Sequence, residues 1–218
     1  MAYSVRQELT KSRTVSRSDV NDAPVSPLYD RRGFRKYLTA SERAAFLHAA
    51  HQALPDVRTF CLALAYTGAR VSEALALTPA RIDVDARVIL IESLKKRRRG
   101  HFRAVPIPAE FIAELERVHS VAAGGIGRLW PWSRTTAWER IREVMALAGV
   151  TGPQASPKGL RHGFAVASLE AGVPITLVRK WLGHARLEMT ERYTELVGEE
   201  EQAMARRLWQ TFERSRLH

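Results

Sequence analysis

Two runs rich in β-branched residues, RIDVDARVILIESL and FRAVPIP, stand on either side of the basic segment KKRRRGH, and most of the remaining chain is patterned for helix. Two short strands joined by so charged a turn predict a small antiparallel sheet with its turn held out in solvent. Helical spacing predicts helices near residues 42–51, 56–65, 108–122, 133–148, 157–171, 174–182, 187–197 and 199–214, with a helix-like segment, ARVSEALAL, between the Gly68 break and Pro79. The expected fold is therefore mainly α with a small antiparallel β-sheet, an α+β class. There is no internal repeat and no linker after residue 39, so one compact body is the economical organisation.

Where that body starts is marked by T-A-S-E at Thr39–Glu42, a capping box in which hydroxyl and carboxylate satisfy opposite backbone donors ahead of ERAAFLHAAH. The preceding residues are polar, rich in Ser, Thr and Arg, and run through PVSP without a sustained apolar period, so residues 1–36 are expected to be a flexible tail. The body then spans 37–198, and 199–218 forms a C-terminal helix. That last helix places Met204, Leu208 and Phe212 on one stripe with Trp209 beside it, a face that must pack on its own core or dock on a neighbouring protomer.

Charge narrows the partners. Lys and Arg number 34 against 23 Asp and Glu, a formal net charge of +11, so the surface favours polyanions, nucleic acid first among them. The only cysteine, Cys61, lies in the apolar run TFCLALAY and reads as a buried small hydrophobe in a reducing compartment, with no disulfide framework. No apolar stretch approaches a bilayer span and the N-terminus lacks a signal-peptide core, which places the expected site of action in the cytoplasm, away from membrane. The histidines are scattered, and the close pair His48 and His51 has no acidic or cysteine company, so neither a metal nor another cofactor is expected.

Two pairs of residues carry the spacing that chemistry requires. Arg70 and Glu73 in TGARVSEAL stand at i, i+3, which lets the carboxylate hold the guanidinium so that its planar fork faces two phosphate oxygens; in isolation such a pair is usually a surface ion pair. Lys158 and Arg161 in SPKGLRHGF repeat that spacing behind Ser156, which suits an N-cap, and Pro157, which suits the first helical position. Cations at the positive end of a helix cost energy unless an anion joins them, and His162 follows directly. Further on, His184 in WLGHA precedes Tyr193 in EMTERYTEL by nine residues, close enough for a short helix to bring both to one cleft. A tyrosine hydroxyl is a poor nucleophile unless cations and donors surround it and its target.

Taken in this order, TGARVSEAL, SPKGLRHGF, WLGHA and TERY resemble the four signature boxes of the tyrosine recombinases, the phage integrase family, over about residues 37–197. Each box is weak alone, and four in order are specific. The resemblance implies a catalytic domain that breaks and rejoins double-stranded DNA without a cofactor. Arg70 and Arg161 would clamp the scissile phosphate, Glu73 would orient Arg70, and Tyr193 would be the nucleophile of a 3′-phosphotyrosyl intermediate, with Lys158 and His184 completing the catalytic set and His162 supporting it. The family's basic β-turn carries a lysine that protonates the 5′-hydroxyl leaving group. Lys95 fits that position best and Lys96 is the runner-up, because a one-residue register shift would exchange which of them points inward. Arg97, Arg98 and Arg99 then read as a solvated run that, with Lys96, contacts DNA phosphates.

The chain departs from the family pattern in two respects. Lys158 stands where many members have histidine; it keeps charge and donors but is a poor base near neutral pH, which leaves proton removal from Tyr193 to His162 or water. Typical members also carry a helical DNA-clamping domain ahead of the catalytic one, whereas 36 residues precede it here. On that ground weak binding alone is expected, with a partner, a second recombinase or an accessory DNA-bending protein, supplying the rest of the grip, and with the chain itself assembling as a dimer to tetramer on DNA. Two other activities share the boxes: relaxation of DNA in the manner of a type IB topoisomerase, and non-catalytic DNA binding by an accessory protein that keeps the fold.

Overall fold

A computed structural model describes residues 28–94 and 100–184, with Thr190, Ala205 and Arg206. The basic segment Lys95 to Arg99, the nucleophile expected at Tyr193, most of the two last expected helices and the N-terminal 27 residues lie outside the described residues.

Seven helices and three strands are described: α1 (Ala40–Gln52), α2 (Pro55–Thr67), α3 (Val71–Ala74), β1 (Ile82–Asp83), β2 (Val88–Glu92), β3 (Phe102–Pro106), α4 (Ala109–His119), α5 (Arg134–Leu147), α6 (Pro157–Glu170) and α7 (Ile175–Leu182). The strands form one antiparallel sheet in the order β1-β2-β3, with Ile82 opposite Ile89 and Ile91 opposite Arg103. Helix α2 is apolar on nearly every side, from Val57 through Phe60, Cys61 and Leu64, which only a central helix can tolerate; α1, α3, α4, α5 and α6 all pack on it. Phe46, Phe60, Ile89, Ile91, Trp130 and Ile141 are fully enclosed in the resulting core. Cys61 sits among them, and burial alone pushes its thiol up to about 12, the behaviour of an inert packing residue.

The local signals are realised as chemistry requires. Thr39 accepts from the Glu42 N–H while the Glu42 carboxylate accepts from the Thr39 N–H, and Ser156 accepts from the Gly159 N–H with Pro157 in the first turn. Gly68 ends α2 in the left-handed region at φ 60°, and a Cβ there would meet Phe164 and Leu182 as well, so both backbone and space call for glycine.

Two expectations need correction. The helix-like segment after Gly68 is helical only over Val71–Ala74; the residue before Pro79 disfavours helix, and the Leu77 carbonyl is taken by the Leu129 N–H at 3.0 Å. Ordered structure also begins before Thr39. Asp30 accepts through one carboxylate oxygen from the N–H groups of Arg32 and Phe34, Tyr29 pairs with Arg35, and this closes a turn that drops Leu28 and Tyr37 onto Val166, Leu169 and Leu182 of α6 and α7. Residues 28–36 therefore belong to the body, not to a tail.

Candidate active site

Of the cations expected to act together, those among the described residues line one cavity of about 610 Å³, while Lys95 and Lys96 lie outside the described residues. Arg70 reaches it from the start of α3, Lys158, Arg161 and His162 from the first turns of α6, and His184 from just beyond α7, with Leu94, Arg134, Trp138 and Ser156 completing much of the wall.

Each is set by a local device. Arg70 is the N-cap of α3, and Glu73 three residues on accepts twice from it, from the backbone N–H at 3.0 Å and from the guanidinium at 2.7 Å. The carboxylate so fixed is fully buried, while Arg70 keeps part of its side chain exposed toward the cavity. Arg161 is oriented from two distant places: it donates to the Gly68 carbonyl and to the Leu182 carbonyl, both at 2.6 Å. Both acceptors sit at helix C-termini, where unpaired carbonyls and the helix dipole favour a cation. Lys158 is exposed at the mouth and His162 is buried behind it. Gly183 closes α7 at φ 66° and redirects the chain so that His184 enters the cavity, where its Nδ1 shares a 2.9 Å hydrogen bond with the buried Thr190 hydroxyl.

One residue of this apparatus went unrecognised in the sequence. Arg103, on β3 and 5% exposed, donates to Glu73 at 2.6 Å, to the Trp181 carbonyl at 2.6 Å and to the Ser93 hydroxyl at 3.2 Å. A single guanidinium thus ties the carboxylate behind Arg70 to the end of β2, next to the basic turn, and to the last turn of α7, next to His184. Burial pushes the Glu73 carboxyl upward, but Arg103 beside it, with help from Arg70, overrides that and holds it below its ordinary value, so Glu73 stays charged. The signal was present in FRAVPIP: Arg103 alternates with Val105 and Ile107 on the inward face, and a cation at an inward strand position needs a buried acid. Arg134 and Trp138, also on the cavity wall, were not anticipated either, because nothing in their own helix fixes which face meets the cations.

This arrangement gathers three guanidiniums, a lysine and two histidines around one cavity. It can neutralise charge on a phosphoryl group and hold it in register for attack, which is most of what phosphoryl transfer demands.

A family model, the phage integrase family, matches residues 36–200, and the chain belongs to that family. It is 34% identical over 144 residues to the tyrosine recombinase XerD of Mycobacterium tuberculosis, an alignment covering 59% of this chain and 44% of that protein. The crystal structure of XerA recombinase superposes with a TM-score of 0.67 at 25% identity, covering 78% of this chain and 64% of that one. The catalytic domain of bacteriophage HP1 integrase has the same fold, with a TM-score of 0.58 at 23% identity over 78% of this chain and 93% of that one. The chain spans about half the length of the curated relatives it matches.

Proposed function

We propose that this chain is a site-specific DNA recombinase of the tyrosine type, which cleaves and rejoins strands through a 3′-phosphotyrosyl intermediate. The observation that supports it best is the convergence of Arg70, Lys158, Arg161, His162 and His184 on one cavity from three separate stretches of sequence. In this reading the phenolic oxygen of Tyr193 attacks the scissile phosphorus while the bond to the 5′-oxygen breaks. Lys95, or Lys96 if the turn is shifted by one, gives its proton to that leaving oxygen, and the phenolic proton passes to His162 or water. Arg70 and Arg161 face the non-bridging oxygens as their charge grows, with Lys158 and His184 donating alongside. The phosphotyrosyl bond preserves the energy of the phosphodiester, so a 5′-hydroxyl from a second strand reverses the step and no nucleotide is consumed.

Double-stranded DNA is the substrate in this proposal, with Lys96, Arg97, Arg98 and Arg99 on its phosphates and copies of the chain assembling on paired sites, alone or with a second recombinase or DNA-bending protein. No described helix is long and apolar enough to cross a membrane, which fits action on DNA in the cytoplasm. The test is a nicked duplex carrying the end of the mobile element, from which the short fragment bearing the freed 5′-hydroxyl diffuses away after cleavage, so that the adduct is trapped. A covalent protein–DNA species that disappears in Tyr193→Phe while DNA binding persists is the expected result; an adduct that survives in that variant would sink the assignment.

A further inference from the structure

Thr190 is fully buried, and its hydroxyl shares the 2.9 Å hydrogen bond with Nδ1 of His184. Valine has the same branched shape, and a buried hydroxyl costs free energy unless it is bonded, so the oxygen is accounted for by its partner and not by packing. The backbone of His184 is already fixed. Its N–H donates to the Arg179 carbonyl at 3.2 Å, and Gly183 before it turns at φ 66° so close to β3 that a Cβ there would lie 2.9 Å from Nη1 of Arg103. A fixed backbone does not fix the ring, because the outer torsion of histidine has two nearly equivalent settings that exchange ring nitrogens for ring carbons. The Thr190 hydroxyl selects one of them.

With Nδ1 engaged, any hydrogen bond from the ring to an anion in the cavity comes from Nε2, and the partner of Nδ1 decides whether Nε2 carries a proton. A carboxylate or a carbonyl in that place only accepts; it holds the proton on Nδ1 and leaves the neutral ring a lone pair on Nε2, the arrangement of a base. A hydroxyl also donates. Arg70, Arg134, Lys158 and Arg161 draw an anion into the cavity, and an anion repels a lone pair and attracts an N–H. The Thr190 hydrogen therefore turns toward Nδ1, and Nε2 keeps the proton of the neutral ring. When the ring is protonated the same oxygen accepts from Nδ1–H, and Nε2–H is unchanged. Thr190 also stands three residues ahead of Tyr193, a spacing that puts two residues on one face of a helix.

We propose that Thr190 is a positioning residue that holds His184 as a permanent Nε2–H donor to the bound phosphate and ties that donor to the segment carrying Tyr193. The proposal rests on the reading of the cavity as a phosphoryl-transfer site. The tautomer is read by nitrogen NMR of the labelled full chain in inorganic phosphate, at a pH where the ring is neutral, with His184 assigned by its absence in His184→Gln. A protonated Nε2 and a bare Nδ1 are expected. Single-turnover adduct formation on the nicked duplex should fall roughly ten-fold in Thr190→Val, short of the hundred-fold or more that goes with losing a whole donor to a developing oxyanion. Thr190→Ser keeps the hydroxyl and should recover most of the rate, and neither variant should bind duplex more weakly, since no charge is removed. Native rates in Thr190→Val, equal slowing in Thr190→Ser, or a bare Nε2 in the native chain would each overturn the proposal. The NMR reading uses the native chain, so it decides even where Thr190→Val does not fold. Nε2–H with no adduct from the native chain would keep Thr190 and His184 as an anion-holding pair and remove the recombinase, whereas adduct formation with a bare Nε2 would remove the role of Thr190 alone.

Discussion

Glu73 carries its charge where water is excluded, and it does so because two guanidiniums share it. Removing Arg103 takes away the buried one of these partners and leaves the carboxylate only the partly exposed Arg70, so Arg103→Met should cost up to about 3–5 kcal/mol, measured by urea denaturation. The same pair governs acid stability. A carboxyl whose folded pKa lies below its ordinary 4.5 contributes stability that is present above that pH and is lost as pH falls through the folded value. Arg103→Met weakens the depression, so its acid unfolding should begin at higher pH than in the native chain, and a midpoint that does not move would show that Arg103 does not hold Glu73 charged. Arg103 is also where the sequence was readable in principle and went unread. The period of the strand turns it inward, but only the fold reveals that Glu73, 30 residues earlier, is what it meets.

At the scale of elements, what could be read from sequence is what depends on neighbours a few residues apart. The Thr39 capping box, the Ser156 cap, the Gly68 stop and the strands about the basic turn each follow from local donors, acceptors and dihedral preferences. The turn at residues 28–37 could not be read in that way, because its two apolar anchors, Leu28 and Tyr37, acquire their meaning only from α6 and α7. Helix α6 yields a sharper test. A Cβ on Gly159 would fall inside van der Waals contact of the Gln154 carbonyl oxygen, so Gly159→Ala must push the first turn away from the loop before it. Since Lys158, Arg161 and His162 ride on that turn, the variant should lose about 1–3 kcal/mol of stability, read by thermal unfolding, and should lose cleavage at temperatures where it remains folded. For the basic turn, a substrate with a 5′-thio leaving group needs no protonation and should rescue whichever of Lys95→Ala and Lys96→Ala has lost the general acid. Rescue of neither would place the acid elsewhere.

Over the whole molecule, on the function proposed here, a net charge of +11 predicts an affinity for DNA that draws on counterion release and falls with salt. Replacing the charges of Lys96 to Arg99 should lower the slope of log affinity against log salt by about 0.9 for each phosphate no longer neutralised, measured from binding isotherms over a salt series. An unchanged slope would mean that these charges do not meet the backbone. The two carbonyls that orient Arg161 have a further consequence. One belongs to residue 68 and the other to residue 182, so this guanidinium is set by parts of the chain made at very different times during synthesis. A copy still on the ribosome, with α7 not yet emerged, lacks the Leu182 carbonyl and cannot hold Arg161 in its finished orientation. On the function proposed here, a protein that breaks DNA therefore withholds its cutting geometry from any copy whose α7 is not yet in place.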